Sequence, residues 1–262
     1  MNLNFLTRGV GRTLGSLAVV VLFCGMMAAC DKKSDDQQQA DSSATAATSA
    51  AAMAGGVASL DDNDYVIFDG SGSMTNCVDR SGREYSADSS CIAKIDGAKQ
   101  AVSTAISNAS DDHRNRGLYV FDDNGRSERV ALGGDDRDAM LKAVSQIQAG
   151  DGTPLGPAME KGARALIAQY NKQLGYGTYR LIVVTDGMPD HMSDVEDALA
   201  FIKKSGVPIQ IYTIGFGMND PDHPLRKASV AFTAAYNGEE VQKALTSAMS
   251  ESNNFDPADF HK

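Results

Sequence analysis

Oxygen-bearing side chains stand in three short segments of the chain, beside apolar runs. Five residues in these segments could together bind a metal ion: Asp69, Ser71, Ser73, Thr153 and Asp186. Carboxylate and hydroxyl oxygens are hard ligands, which suit Mg²⁺, Mn²⁺ or Ca²⁺ better than zinc. Because this set contains only two carboxylates, a divalent cation bound there would keep much of its charge and attract a further anionic oxygen from outside the domain.

The spacing of the first segment, Asp69-Gly70-Ser71-Gly72-Ser73, favours one direction for its three polar side chains. Alternate side chains of an extended backbone point the same way, which would turn Asp69, Ser71 and Ser73 toward one ion. The two glycines would let the backbone turn tightly around that ion. This string alone could also be a solvated turn, but the two later segments favour a metal site.

The elements that would position these residues alternate between strands and helices from Asp61 onward. Short apolar runs predict six strands, at residues 65–68, 118–121, 130–132, 181–184, 209–214 and 230–233. Apolar residues at helical spacing predict helices within 92–106, 140–147, 157–174, 193–206 and 241–249. This alternation indicates an α/β protein with a doubly wound, mostly parallel six-stranded sheet and helices on both faces.

Local signals add detail to several of these elements. Asn-Gly at 124–125 predicts a hairpin, so the second and third strands should pair antiparallel. Pro157 suits the first turn of the third helix. Ser193 with Glu196 predicts a capping box at the start of the fourth helix, and Gly206 predicts its end.

The predicted topology brings the polar segments to one edge of the sheet. Asp69 follows the first strand, Asp186 follows the central strand, and Thr153 precedes the third helix. In open α/β sheets ligands bind beyond the carboxyl ends of the strands, where the strand order reverses. A metal site is therefore expected there.

The three segments resemble the metal-ion-dependent adhesion site (MIDAS) of von Willebrand factor type A (vWA) domains. Asp69, Ser71 and Ser73 match its DxSxS string. Thr153 matches its separate threonine, and Asp186 matches its later aspartate.

The resemblance covers residues 61–250 and implies both a fold and a mode of binding. The family fold is a doubly wound sheet with one antiparallel edge strand. In the family the serines and the threonine bind the cation directly, the aspartates bind largely through water, and a partner protein supplies an Asp or Glu carboxylate. One departure is the insertion at residues 74–91, which would reshape the rim above the site.

Other polar residues near the site have two interpretations. Asp122, Asp123 and Asn124 could form a second cation site, but a polar hairpin turn is the simpler interpretation. His191 could be a catalytic base, although a residue on the rim is preferred. The chain has neither a G-x-S-x-G elbow nor a P-loop. We therefore predict that it is not an enzyme.

Residues 1–29 have the layout of a bacterial lipoprotein signal. A basic start precedes an apolar run at residues 17–29, which is shorter than the roughly 20 residues that a membrane-spanning helix needs. The string Met-Ala-Ala before Cys30 resembles a lipobox, which implies lipidation of Cys30; a buried cysteine of a signal anchor is the alternative. Asp31 resembles the signal for retention at the inner membrane, so we expect its periplasmic face, with the outer membrane as the alternative.

The rest of the chain divides by composition. Residues 30–60 are rich in Ala, Ser, Thr, Gln and Asp, cannot bury enough apolar surface to fold, and predict a flexible tether. The folded domain is expected at 61–250, followed by a tail at 251–262. The chain has 24 Lys and Arg against 34 Asp and Glu, a net charge of −10, which argues against nucleic-acid binding by a basic surface.

Cys77 and Cys91 are the pair of cysteines that remains when Cys24 leaves with the signal and Cys30 is lipidated. An exported chain favours a disulfide between them. Such a bridge would close a loop of about 15 residues, worth roughly 3 kcal/mol. Zinc is not expected, because no further Cys or His lies at ligand spacing.

The sequence thus predicts a membrane-tethered module that captures a partner protein through a shared cation. One alternative is a scaffold that helps to assemble an envelope complex. Another is a metal-assisted hydrolase that uses Asp69 and Asp186, with His191 as the base.

Overall fold

The structure, a computed structural model, describes residues 58–109, 113–133, 137–187 and 189–250. Its strands are β1 (Asp62–Asp69), β2 (Asn76–Val78), β3 (Glu84–Ser86), β4 (Arg114–Asp122), β5 (Gly125–Val130), β6 (Thr178–Thr185), β7 (Ile209–Phe216) and β8 (Ala231–Ala235). Its α-helices are α1 (Lys94–Asn108), α2 (Arg137–Ser145), α3 (Leu155–Lys172), α4 (Met192–Ser205), α5 (Pro224–Ala228) and α6 (Gly238–Ser250). A short 3-10 helix spans Gly72–Thr75.

Six of the strands form one sheet in the order β5-β4-β1-β6-β7-β8. β5 pairs antiparallel with β4 at one edge, and all other neighbours in this sheet are parallel. The predicted fold class is therefore confirmed, including its antiparallel edge strand. The hairpin turn itself is Asp123-Asn124, and Gly125 follows it with a φ of 97°, a conformation that favours glycine.

Helices cover both faces of this sheet. Side chains of β1 alternate between the faces, so that Val66 and Phe68 pack on one side while Tyr65 and Ile67 pack on the other. Helices α1, α2 and α6 cover the first face, and α3, α4 and α5 cover the second. Because central strands are buried on both sides, their sequences are continuous apolar runs rather than alternating ones.

Two helices begin differently from the prediction. The N-cap residue of α4 is His191, without a side-chain cap hydrogen bond, and Ser193 lies inside the helix, so the predicted capping box is wrong. The end of α4 is as predicted, with Gly206 in the left-handed conformation at a φ of 70°. Helix α3 begins at Leu155, which leaves Pro157 within the first turn, where no backbone donor is needed.

The insertion at residues 74–91 forms a small hairpin of its own. Strands β2 and β3 pair antiparallel, and a disulfide joins Cys77 of β2 to Cys91, the predicted pair. The exposed residues of β3 show no apolar alternation, which is why the sequence predicted no strand there. Ile92 lies outside α1 and is 69% exposed, so the expectation that it belongs to the buried face of that helix is wrong.

Buried charged residues lie near the amino ends of the central strands, before their apolar runs. Asp64 of β1 accepts hydrogen bonds from Arg114 of β4 and from Arg180 of β6, the latter at 2.7 Å. All three side chains are buried. Because these charges satisfy one another across neighbouring strands, each strand begins several residues before its apolar run.

Several predictions fall outside the described residues. They are the signal segment 1–29, the lipidated Cys30, residues 30–57 of the tether and the tail 251–262. Within the described part of the chain, no helix has the length and the apolar character needed to cross a membrane.

Candidate metal site

The two predicted carboxylates lie together at the carboxyl ends of two parallel strands. Strands β1 and β6 are neighbours; Asp69 is the last residue of β1, and Asp186 directly follows β6. From β1 the chain continues to β4 on one side, whereas β6 lies on the other side, so the strand order reverses here. Open α/β sheets bind ligands at such a position.

Asp69 is fully buried and its carboxylate accepts two hydrogen bonds. Its Oδ1 accepts from the backbone N–H of Ser71 at 2.9 Å, and its Oδ2 accepts from the hydroxyl of Thr185 at 2.6 Å. The hydroxyl oxygens of Ser71 and Ser73 lie 3.1 Å apart. The carboxylate is thus held in place from two sides, and the two serine hydroxyls lie beside each other.

The backbone of this segment differs from the expected extended strand. Ser73 lies in the 3-10 helix, so it reaches Ser71 through a helical turn and not through strand alternation. Gly70 and Gly72 do not adopt a positive φ, so the turn here does not depend on the left-handed conformation that favours glycine. Gly70 is needed for space, because a Cβ there would lie 2.7 Å from the Cβ of Asp122.

The loop that carries Thr153 is joined to both of the other segments by hydrogen bonds. The N–H of Gly72 donates to the carbonyl of Asp151 at 3.2 Å. The N–H of Thr153 donates to Oδ1 of Asp190 at 2.8 Å, and the N–H of Asp190 donates back to the carbonyl of Thr153 at 2.9 Å. Asp190 follows Asp186 in the loop after β6, so all three predicted segments meet at one place.

Asp186 has a partner that the sequence reasoning missed. Its Oδ2 accepts a hydrogen bond from Nζ of Lys94 at 2.9 Å, and both side chains are buried. The same ammonium group contacts the carboxylate of Glu84 on β3. The second oxygen of Asp186, Oδ1, is buried and accepts no hydrogen bond from any described residue.

A sequence signal could have identified Lys94. Residues 94, 98, 101 and 105 share one face of helix α1, and the other three are alanines. A lysine on an otherwise apolar stripe needs an anionic partner when the stripe is buried. The partner itself could not be named, because Asp186 lies 92 positions further along the chain.

Burial and nearby charges change the pKa of Asp69. Burial, followed by the charge of Asp186, raises the pKa of Asp69 to about 6. The hydrogen bonds from Ser71 and Thr185 oppose this shift. The charge of Asp186 therefore disfavours the ionised form of Asp69.

The donor set fits a hard divalent cation. It combines two buried carboxylates, one of which has an unused buried oxygen, with the hydroxyls of two serines and a threonine. The described residues contain no group of three His, Cys, Asp or Glu side chains placed to hold a metal. A site with two carboxylates and three hydroxyls would not form such a group, and its chemistry suits Mg²⁺, Mn²⁺ or Ca²⁺.

The alternative candidate residues are Asp122, Asp123, Asn124 and His191. The carboxylate of Asp122 is buried and accepts hydrogen bonds from Arg129 at 2.7 Å, from the N–H of Asn124 at 3.0 Å and from the N–H of Gln148 at 3.2 Å. These bonds support the interpretation of a polar hairpin turn. His191 is exposed at the start of α4.

A cavity of about 460 Å³ lies beside the candidate ligands. Ser73, Glu84 and Asp186 form part of its lining, and Phe216 and Met218 provide an apolar wall. The β2–β3 hairpin and the loop after β7 therefore form walls of the cavity beside the candidate ligands.

Comparisons with known proteins agree with the fold. Residues 65–255 match the family of von Willebrand factor type A domains. A search of curated proteins finds no significant match.

Solved structures with a similar fold come from several bacteria. An aerotolerance-related membrane protein from Bacteroides fragilis NCTC 9343 aligns over 72% of this chain and 99% of its own, with 16% identity and a TM-score of 0.50. The pilus adhesin SpaC from Lactobacillus rhamnosus GG aligns over 75% of this chain and 31% of its own, with 17% identity and a TM-score of 0.55. The PilB minor pilin from Streptococcus sanguinis aligns over 74% and 61%, with 14% identity and a TM-score of 0.56. At these identities the likeness concerns the fold alone.

Proposed function

We propose that this chain, which belongs to the von Willebrand factor type A domain family, is a non-enzymatic binding protein that captures a partner protein through a divalent cation. The residues that would hold the cation are Asp69, Ser71, Ser73, Thr153 and Asp186. Mg²⁺ is the first choice, with Mn²⁺ and Ca²⁺ as alternatives, because all donors are hard oxygens.

The observation that carries this proposal is the pair of buried carboxylates. Burial and the charge of Asp186 raise the pKa of Asp69, and Oδ1 of Asp186 is buried without a hydrogen bond from any described residue. A buried, unpaired carboxylate oxygen is expensive. A divalent cation would satisfy this oxygen and remove the repulsion.

The partner is expected to present an Asp or Glu carboxylate. The five candidate ligands would leave at least one position of an octahedral Mg²⁺ ion open, and in the family the carboxylate of a partner protein supplies that further oxygen. Two structurally similar proteins are a pilus adhesin and a minor pilin, which supports a role in adhesion or protein–protein interaction.

We place the protein in a bacterial cell envelope, anchored by a lipid on Cys30 at the periplasmic face of the inner membrane, or else at the outer membrane. The signal layout of residues 1–29 and the string before Cys30 support this placement. The fold similarity to an aerotolerance-related membrane protein is consistent with it. Residues 30–60 would then act as the tether of the domain.

The decisive variant is Thr153→Ala, since it removes one neutral ligand and leaves both carboxylates in place. We expect calorimetric titration with Mg²⁺ and Mn²⁺ to show weaker binding, with an unchanged thermal melt of the metal-free protein. Asp69→Ala should weaken metal binding more strongly. Thr104→Ala is the matched control, because Thr104 is a partly exposed residue of α1 whose hydroxyl donates to the carbonyl of Gln100.

Unchanged metal affinity in both Thr153→Ala and Asp69→Ala would refute the site. Capture of the partner is tested with the full chain, by pull-down from membranes with and without EDTA. Capture that survives EDTA would refute the role of the cation and favour a scaffold. Turnover of a phosphate or peptide ester that is lost in His191→Ala would instead favour a hydrolase.

A further inference from the structure

We infer that Lys94 is a built-in cation of the candidate site, which lowers the affinity of Asp186 for a divalent cation, and that Glu84 on the β2–β3 hairpin opposes this effect. The inference rests on the proposed metal site and deepens it. It assigns a role to two residues outside the five candidate ligands.

The contacts of Lys94 are those of a buried counter-ion. Its side chain is 1% exposed, and its Nζ lies 2.9 Å from Oδ2 of Asp186, whose side chain is fully buried. Its other ionic contact is Glu84, whose side chain is 38% exposed. The ammonium group therefore lies between a candidate metal ligand and a carboxylate at the edge of the cavity.

The place of Lys94 in the fold makes its positive charge costly without these partners. Lys94 is the first residue of α1, and a helix N-terminus disfavours cations. Burial of an ammonium group adds a desolvation cost, which is offset only by close anionic partners. The two carboxylates explain why a lysine is stable at this position.

Formal charges show what Lys94 does to the site. Asp69 and Asp186 together carry −2, and Lys94 changes the total to −1. A divalent cation would bring this total to +1, whereas the same site without Lys94 would become neutral. Lys94 therefore weakens metal binding, whereas Glu84, which contacts Lys94, returns the total without metal to −2.

Glu84 acts in the opposite direction through its position on the hairpin. Its carboxylate neutralises part of the charge of Lys94, and it lines the same cavity as Asp186. The hairpin that carries it is joined by the Cys77–Cys91 disulfide to the segment before α1. Loss of the charge of Glu84 should therefore weaken metal binding.

The test compares Lys94→Met with Lys99→Met in titrations with Mg²⁺ and Mn²⁺. We expect Lys94→Met to bind both ions at least about tenfold more tightly, because a positive charge close to the metal ligands is removed. Lys99 is the matched control: it lies on the same helix and donates to the carbonyl of Ile147. Metal affinity in Lys99→Met should equal that of the wild type.

Thermal melts provide a second readout that needs no bound metal. Without metal, Lys94→Met should melt at a lower temperature than Lys99→Met, because Oδ2 of Asp186 loses its hydrogen bond and neither oxygen of this buried carboxylate then has a described partner. Added Mg²⁺ should raise the melting temperature of Lys94→Met more than that of the wild type. Equal increases in the two proteins would contradict the inference.

If Lys94→Met does not fold, Glu84→Gln still tests the inference. Because Glu84 is partly exposed, its substitution should leave the fold intact. We expect its metal affinity to fall severalfold. Glu239→Gln is the control, since Glu239 forms an exposed ion pair with Lys243 on α6. Affinity that is unchanged in Glu84→Gln, or no tighter in Lys94→Met than in Lys99→Met, would overturn the inference. If the wild type and every variant bind no metal, the proposed function itself fails.

Discussion

Asp69 is the residue whose ionisation decides how readily the site accepts a cation. Burial and the neighbouring Asp186 raise its pKa to about 6, from an ordinary value of 3.8. A carboxylate must lose its proton to bind a metal ion, so protons and cations compete for this side chain. The raised pKa brings that competition into the mildly acidic range.

The same shift predicts how the stability of the metal-free protein depends on pH. The folded state binds the proton of Asp69 more tightly than the unfolded state does, so this proton stabilises the fold at low pH. The contribution is complete below about pH 4 and is lost as pH rises through about 6. Relative to Asp69→Asn, we expect the wild type to lose on the order of 3 kcal/mol of unfolding free energy over this range.

Urea unfolding in the presence of EDTA, from about pH 4 to about pH 7.5, measures this difference. Asp69→Asn serves as the control because an amide does not titrate. The informative quantity is the difference in pH slope between the two proteins. Parallel pH profiles would show that the pKa of Asp69 is not raised.

At the scale of elements, the β2–β3 hairpin is the structural element that lies beside the candidate site. It occupies the insertion between the 3-10 helix and α1, and it brings Glu84 to Lys94. The bridge between Cys77 and Cys91 encloses this hairpin. The disulfide therefore restrains the element that shapes one side of the cavity.

Replacement of both cysteines, Cys77→Ser with Cys91→Ser, should lower the unfolding free energy by up to about 3 kcal/mol. The physical reason is the larger conformational freedom of the unfolded chain without the crosslink. Urea unfolding of the double variant and of the oxidised wild type gives the difference. Intact-mass measurement with alkylation, before and after reduction, is the control for the redox state. Two free thiols in protein isolated from the periplasm would contradict the predicted bridge.

At the scale of the whole molecule, we propose that the von Willebrand factor type A domain is one part of an exported chain. The acidic net charge of −10 disfavours self-association through charge repulsion and does not define a partner. The apolar run at residues 17–29 and the following Cys30 determine the expected anchoring. Anchoring and folding should therefore be separable.

Cys30→Ala should leave the domain folded, because Cys30 lies outside the predicted domain at residues 61–250. We expect the variant to be unprocessed or to be released from the membrane, as shown by fractionation and gel mobility. Cys24→Ala is the control, because it replaces the other cysteine of the N-terminal segment. A Cys30→Ala protein that fractionates and migrates like the wild type would rule out the lipid anchor.

The sequence by itself determined the fold class and the five candidate ligands. Apolar runs marked five of the six strands of the main sheet, because central strands are buried on both faces and need apolar side chains. The prediction for the edge strand, 130–132, overlaps β5 only at Val130, because β5 is mostly polar and at least partly exposed throughout. The DxSxS string, Thr153 and Asp186 could be found because their types and order are visible along the chain. Their arrival at one edge of the sheet followed from the parallel topology.

Only the tertiary structure decided how charges are paired. Lys94 contacts Asp186 across 92 positions of sequence, and Asp64 binds Arg180 across 116. Such contacts produce no periodic pattern along the sequence, because they depend on which elements become neighbours in the fold. The 3-10 turn at Ser73 and the β2–β3 hairpin were likewise missed, since packing and a disulfide, rather than local preference, stabilise them. Local pattern therefore identified the candidate ligands, and long-range packing determined the electrostatic environment in which they lie.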